Sequence, residues 1–98
     1  MSLDEFRQSA RGEPPQGLSA ALLALWHDAR GDWAAAHDSA QSEDDADGAW
    51  VHAYLHRKEG DIGNAGYWYR RAGRPFPNFG IAAEWDQIAS ELLAADGA

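Results

Sequence analysis

The sequence predicts an all-α fold made of two stacked helical hairpins and a C-terminal capping helix. First, a His lies four residues before a Gly-Asp pair in two places, Gly31-Asp32 and Gly60-Asp61, and an Ala lies four residues after each Asp. The two pairs are 29 residues apart, and such a period is typical of stacked helical hairpins. Second, Ala is abundant while β-branched residues are few, with a single Val and no Thr, which favours helices over a sheet.

The length and composition indicate one folded domain over residues 1–98. A chain of 98 residues with 45% hydrophobic residues and five Trp can bury one modest core. The absence of Cys excludes both a disulfide framework and thiol chemistry.

The N-terminal arm, residues 1–17, can carry a short helix over residues 3–10 that packs through Leu3 and Phe6. The Pro14-Pro15 pair separates this arm from the rest, because proline does not fit the interior of a helix.

The first hairpin is predicted over residues 18–44, with helices over 18–29 and 33–41. In the Gly31-Asp32 pair, the glycine can adopt the left-handed conformation that ends a helix, and the aspartate can cap the next one. A polar, acidic loop then leads to the second hairpin, residues 48–74.

The helices of the second hairpin are predicted over residues 49–58 and 62–72. Gly60-Asp61 repeats the signal that ends one helix and starts the next. Gly63 and Gly66 weaken the second of these helices, unless they permit another helix to approach closely.

The capping helix is predicted within residues 80–96, after a connector rich in Gly and Pro. Apolar residues recur on one stripe of this helix: Ile81, Trp85, Ile88, Ala89, Leu92 and Leu93. We expect this stripe to cover the open end of the stack, since the end of a repeat array needs a cover.

One segment carries the pattern G-D-x-x-x-A-x-x-W-Y-x-x-A. Its residues are Gly60, Asp61, Ala65, Trp68, Tyr69 and Ala72. The pattern resembles the second helix of tetratricopeptide repeats (TPR), and its Trp-Tyr pair resembles their Sel1-like relatives. The resemblance covers residues 48–77 well and residues 17–44 weakly. It implies a small, non-catalytic module that binds a protein or peptide, and no cofactor.

Three residues lie where tetratricopeptide repeats line their concave surface: Trp50, Tyr54 and Arg57. An aromatic ladder that ends in a guanidinium can hold a peptide with an acidic group. The alternative, which we favour, is that Trp50 and Tyr54 belong to the core, because small helical domains bury their aromatic residues first.

A second candidate binding set follows on the next helix: Tyr67, Arg70, Arg71 and Arg74. Tyr67 is predicted to point sideways, toward solvent, a neighbouring repeat or a partner, since successive helical residues turn by about 100°. Arg beside Tyr and Trp is the composition of binding hot spots, although arginines near a helix C-terminus also complement its dipole.

His52 and His56 are spaced i, i+4, so both imidazoles lie on one face of a helix. This spacing can bind a metal ion, but no third ligand is evident in the sequence. His37, Glu59 or Asp61 could supply one if the fold brings it near. We favour a structural role, with both histidines hydrogen-bonded inside the hairpin. A small-ligand or metal-binding protein, even an enzyme, built on these histidines and the nearby arginines remains the alternative.

The charge distribution indicates the class of partner. The formal net charge of −8 disfavours nucleic acid. Residues 57–74 hold five basic and two acidic residues, a net +3, so the rest of the chain carries −11. We favour a helix pair with solvated basic positions, and the alternative is a local site for an anion or an acidic peptide. The expected partner is a protein or peptide that can carry an acidic segment, or a second copy that covers exposed aromatic surface.

The sequence shows no phosphate-binding loop, nucleophile elbow or HExxH motif, which favours a protein that is not an enzyme. It also shows no apolar run long enough to cross a membrane and no signal peptide, so a cytoplasmic protein is expected.

Overall fold

The computed structural model describes the backbone of residues 1–96 and the side chains of residues 1–95, and this part of the chain contains helices and no strand. The all-α prediction is therefore confirmed. The six helices are α1 (Leu3–Ser9), α2 (Ala20–Ala29), α3 (Trp33–Gln41), α4 (Ala46–Lys58), α5 (Ile62–Ala72) and α6 (Ile81–Asp96). The last two residues of the predicted domain lie outside the described part.

The two Gly-Asp pairs end and start helices as the sequence predicts. Gly31 and Gly60 have φ angles of 79° and 91°, in the left-handed region that glycine enters without strain. Asp32 and Asp61 each accept a hydrogen bond from the backbone N–H three residues later, at 3.1 and 3.4 Å. These caps fix the starts of α3 and α5 at the predicted residues.

Two helix starts differ from the prediction, and a capping side chain explains each. Helix α4 begins at Ala46, three residues early, because the Asp45 side chain accepts a hydrogen bond from the Gly48 N–H at 2.7 Å. Helix α2 begins at Ala20, two residues late, because Ser19 serves as its cap. The loop before α4 holds several acidic residues that could act as caps, whereas Ser19 is the second residue of the predicted helix.

The helices pack as two hairpins, α2–α3 and α4–α5, which meet where α3 contacts α4. Helix α4 lies at the centre, and each of residues 48–56 is buried. The expected N-terminal helix forms as α1 and contributes Phe6 to the core.

Helix α6 covers α2 and α4 through its apolar stripe. The Trp85 ring stacks on Phe6, with centroids 5.7 Å apart, and its indole nitrogen donates to the Leu25 carbonyl at 3.1 Å. Within residues 1–96, no helix has the length and apolar character that crossing a bilayer requires.

Candidate metal centre

Three of the four histidines converge between α3 and α4. His37 comes from α3, while His52 and His56 lie one turn apart on α4. One ligand nitrogen from each ring lies within 4.8 Å of the other two. His52 and His56 are buried, and His37 is half-buried at the edge of the cluster. The fold thus supplies the third potential ligand that the sequence does not reveal.

Two tryptophans enclose the three imidazoles. The His52 ring stacks on Trp68 of α5, with centroids 3.9 Å apart and an angle of 16° between the planes. The His37 ring stacks on Trp33, one turn earlier on α3, at 4.9 Å and 17°. The Trp33 indole is itself fixed, because it donates to the Leu55 carbonyl at 3.1 Å. Ring packing therefore holds His37 and His52 in place.

His56 is held instead by a hydrogen bond to Glu59, with 2.6 Å between Nδ1 and Oε1. An ionised carboxylate only accepts hydrogen bonds, so this contact assigns the proton to Nδ1. In the neutral ring, Nε2 then carries a free lone pair. Such carboxylate–histidine pairs are typical behind the ligands of metal sites.

The prediction that both α4 histidines hydrogen-bond inside the hairpin is confirmed for His56 and wrong for His52. Within residues 1–96, the His52 side chain has no hydrogen-bond partner. In that part of the chain, every side-chain nitrogen that is fully buried has a hydrogen-bond partner. The His52 nitrogens therefore keep some contact with solvent, although the residue is only 4% exposed.

The environment keeps His37 and His52 uncharged at neutral pH. Burial, followed by the repulsion of His37 and His56, lowers the pKa of His52 from 6.5 to about 4. Burial and then His56 also lower the pKa of His37. Neutral imidazole is the form that coordinates metal ions.

The other two candidate ligands, Glu59 and Asp61, form a second group with His56 at the α4–α5 turn. Both carboxylates already have partners, since Glu59 accepts from His56 and Asp61 caps α5. Both are also exposed. The three-histidine cluster is therefore the better-formed site.

Trp50, Tyr54 and Arg57 lie inside the fold, as the core alternative expects for the two aromatic residues. Trp50 and Tyr54 are buried, and the Tyr54 hydroxyl donates to Asp28 at 2.7 Å. Arg57 donates to the buried Glu84 carboxylate at 2.8 Å. The polar groups of Tyr54 and Arg57 serve contacts between helices rather than an open concave surface.

Most basic residues of segment 57–74 are paired with carboxylates of this same chain. The pairs are Arg57–Glu84, Lys58–Asp28, Arg71–Asp44 and Arg74–Glu91. Of the second candidate binding set, Tyr67 is 45% exposed and Arg70 is exposed without an ion pair among the described residues. The local excess of positive charge is therefore largely compensated.

The sequence does contain a signal for the cluster, in two i, i+4 pairs of ring side chains. Trp33 and His37 form one pair on α3, and His52 and His56 form the other on α4. That these faces meet depends on how the two hairpins pack.

Comparison of the chain with family models, with curated proteins and with solved structures gave no match.

Proposed function

We propose that this protein binds a divalent transition-metal ion, with Zn²⁺ as the best-suited ion, through His37, His52 and His56. The observation that carries the proposal is the convergence of three imidazoles from two helices, with ligand nitrogens within 4.8 Å of one another.

The spacing of the nitrogens is close to what zinc requires. Zn–N bonds of about 2.0–2.1 Å in tetrahedral geometry place ligand nitrogens about 3.3 Å apart. Even from 4.8 Å, each nitrogen needs to move by less than about 1 Å, which a small side-chain rotation provides. The backbones of α3 and α4 can therefore stay in place.

The chemistry of the ligands favours zinc-like ions over magnesium or calcium. Imidazole nitrogen suits Zn²⁺, Cu²⁺ and Ni²⁺, whereas Mg²⁺ and Ca²⁺ prefer oxygen ligands. Glu59 behind His56 provides the outer hydrogen bond that orients a metal-binding imidazole.

The protein-interaction function and the TPR or Sel1-like assignment stay predictions, and the motif within residues 48–77 is what supports them. Of the seven residues predicted to bind a partner, Tyr67 and Arg70 are the two that face solvent without an internal ion pair in the described part of the chain. We rank metal binding first, because its residues are brought together.

Isothermal titration of the metal-free protein with Zn²⁺ tests the proposal. We expect one ion per chain, and a loss of at least about 100-fold in affinity in His37→Ala and in His52→Ala, because each removes one of three ligands. His27→Ala is the matched control, since His27 lies on α2 outside the cluster and should leave the affinity unchanged.

Thermal unfolding checks the same variants for folding and adds a second readout. Zn²⁺ at about 100 times its dissociation constant should stabilise the wild-type chain by about 2.7 kcal/mol. Absence of stoichiometric binding would contradict the proposal. So would unchanged binding in His37→Ala combined with loss in Asp61→Asn, which would place the ion at the α4–α5 turn instead.

A further inference from the structure

We infer that the metal ion in the three-histidine site keeps one coordination position that this chain does not fill, and that a small monodentate anion binds there. This inference rests on the proposed metal binding and names the class of ligand that the bound ion accepts.

The number of protein ligands is the first reason. Among the side chains of residues 1–95, the group around His37 and His52 contains three potential ligands and no carboxylate. Glu59, the acidic residue bonded to the cluster, is engaged with Nδ1 of His56. Structural zinc sites have four protein ligands, whereas sites with three leave a position for water or substrate.

The charge of the site is the second reason. Three neutral imidazoles leave the +2 charge of the ion uncompensated by its ligands. Glu59 is bonded to Nδ1 of His56 and is not a ligand of the ion. A metal ion whose charge is not balanced by its ligands favours an anion, or a water molecule that has lost a proton, at its free coordination position.

Space and access are the third reason. His37 is half-buried, so the cluster reaches the surface at the edge of α3. A cavity of about 260 Å³ adjoins the cluster and is lined by His52, Trp68 and Arg71, among others. That volume is several times the roughly 30 Å³ that one water molecule occupies. The cavity is therefore large enough for a small anion. The same lining holds the carboxylates of Glu43, Asp44 and Asp45, and Arg71 is already paired with Asp44, so the attraction for an anion comes from the metal ion itself.

Cobalt substitution tests the inference separately from the proposed function. The Co²⁺-loaded protein is titrated with sodium azide, and its visible d–d absorption is followed. Sodium perchlorate, whose anion coordinates metal ions very weakly, serves as the salt control at equal ionic strength. We expect a saturable spectral change with azide, because a new ligand enters the coordination sphere, at concentrations where the salt control shows a much smaller change.

The outcomes distinguish failure of the open coordination position from failure of metal binding itself. If Co²⁺ binds in a His52-dependent way but saturating azide leaves the spectrum unchanged, the open position is refuted while metal binding stands. A metal-dependent dimer that azide does not dissociate would also refute it, because a second copy would then supply the fourth ligand. If no Co²⁺ binds, the proposed function itself fails.

Discussion

Glu59 fixes the orientation of His56 across the turn that ends α4: its Oε1 lies 2.6 Å from Nδ1 of the imidazole. The contact spans three residues, so the geometry of the α4–α5 turn determines where the His56 ring points. The same turn contains Gly60, whose φ of 91° requires a glycine-like conformation.

Removing this carboxylate should weaken the metal site without removing a ligand. We expect Glu59→Ala to lower zinc affinity by about 10–100-fold, the usual effect of losing an outer-shell partner. Glu59→Gln should lose less, since its amide oxygen still accepts the Nδ1–H bond. Competition with a chromogenic chelator measures both, and Glu13→Ala, which removes an exposed carboxylate far along the chain from the site, serves as the control. Equal affinities in Glu59→Ala and wild type would contradict the assigned role.

The metal-free protein should lose stability as the pH falls through the titration range of His52. Its pKa is lowered from 6.5 to about 4, so the unfolded chain takes up a proton first. Stability is therefore fully present above about pH 6.5 and decreases progressively toward about pH 4, by on the order of 2–3 kcal/mol. The titratable groups that act on this ring are His37 and His56. Arg71 and the carboxylates of Glu43, Asp44 and Asp45 line the same cavity as His52.

Urea unfolding at several pH values checks this dependence, with His52→Phe as the control that removes the titrating group. The difference between the two proteins isolates the histidine from carboxylates that also titrate near pH 4. Stability that instead rises on acidification from neutral pH would mean that a carboxylate stabilises the protonated ring.

Replacing each of two helical glycines with alanine should change the stability of the fold in opposite directions. A Cβ at Gly48 would lie 2.7 Å from the Ala40 carbonyl oxygen of α3, so Gly48→Ala should destabilise the fold by about 1–3 kcal/mol. A Cβ at Gly63 meets nothing within 4 Å. Gly63→Ala should therefore stabilise α5 by about 0.5–1 kcal/mol. Chemical denaturation of both variants gives the two signs, and a stable Gly48→Ala protein would show that α3 and α4 can separate freely at this point.

Breaking the buried ion pair Arg57–Glu84 should lower the free energy of unfolding much more than breaking the exposed pair Arg71–Asp44. The Glu84 side chain is 2% exposed, and Arg57 is the cation that pairs with it. Arg57→Ala should cost about 3–5 kcal/mol, because the carboxylate is left buried with Tyr69 as its remaining partner. Arg71→Ala breaks the exposed contact with Asp44 and should change stability little, since water screens that pair.

Urea denaturation measures both variants, and Arg57→Ala combined with Glu84→Gln tests the mechanism. Removing the buried charge should recover part of the stability lost in Arg57→Ala. An additive result in the double variant would mean that the two side chains act independently.

Local signals explain why most of the fold is readable from the sequence. The starts of α3 and α5 follow from Asp32 and Asp61, whose caps act over three residues. The start of α4 is misplaced because several neighbouring acidic residues compete as caps, and only the folded chain selects Asp45.

The site is less readable because it depends on contacts between distant segments. The His52–His56 pair is visible as a spacing, but the approach of His37 follows from packing between hairpins. The pairing of Arg57 with Glu84, 27 residues later, is equally hidden. For that reason Arg57 resembles a free binding residue in the sequence and is an internal one in the structure.

The position of the cluster between α3 and α4 would also affect how fast proteases degrade the protein. The ligands come from both hairpins, so a bound ion would have to leave before the hairpins separate. The connecting segment 42–45 is exposed between them, and proteases cut such segments when they open locally. Metal supply would then set the lifetime of the chain: a protein deprived of its ion would be degraded first.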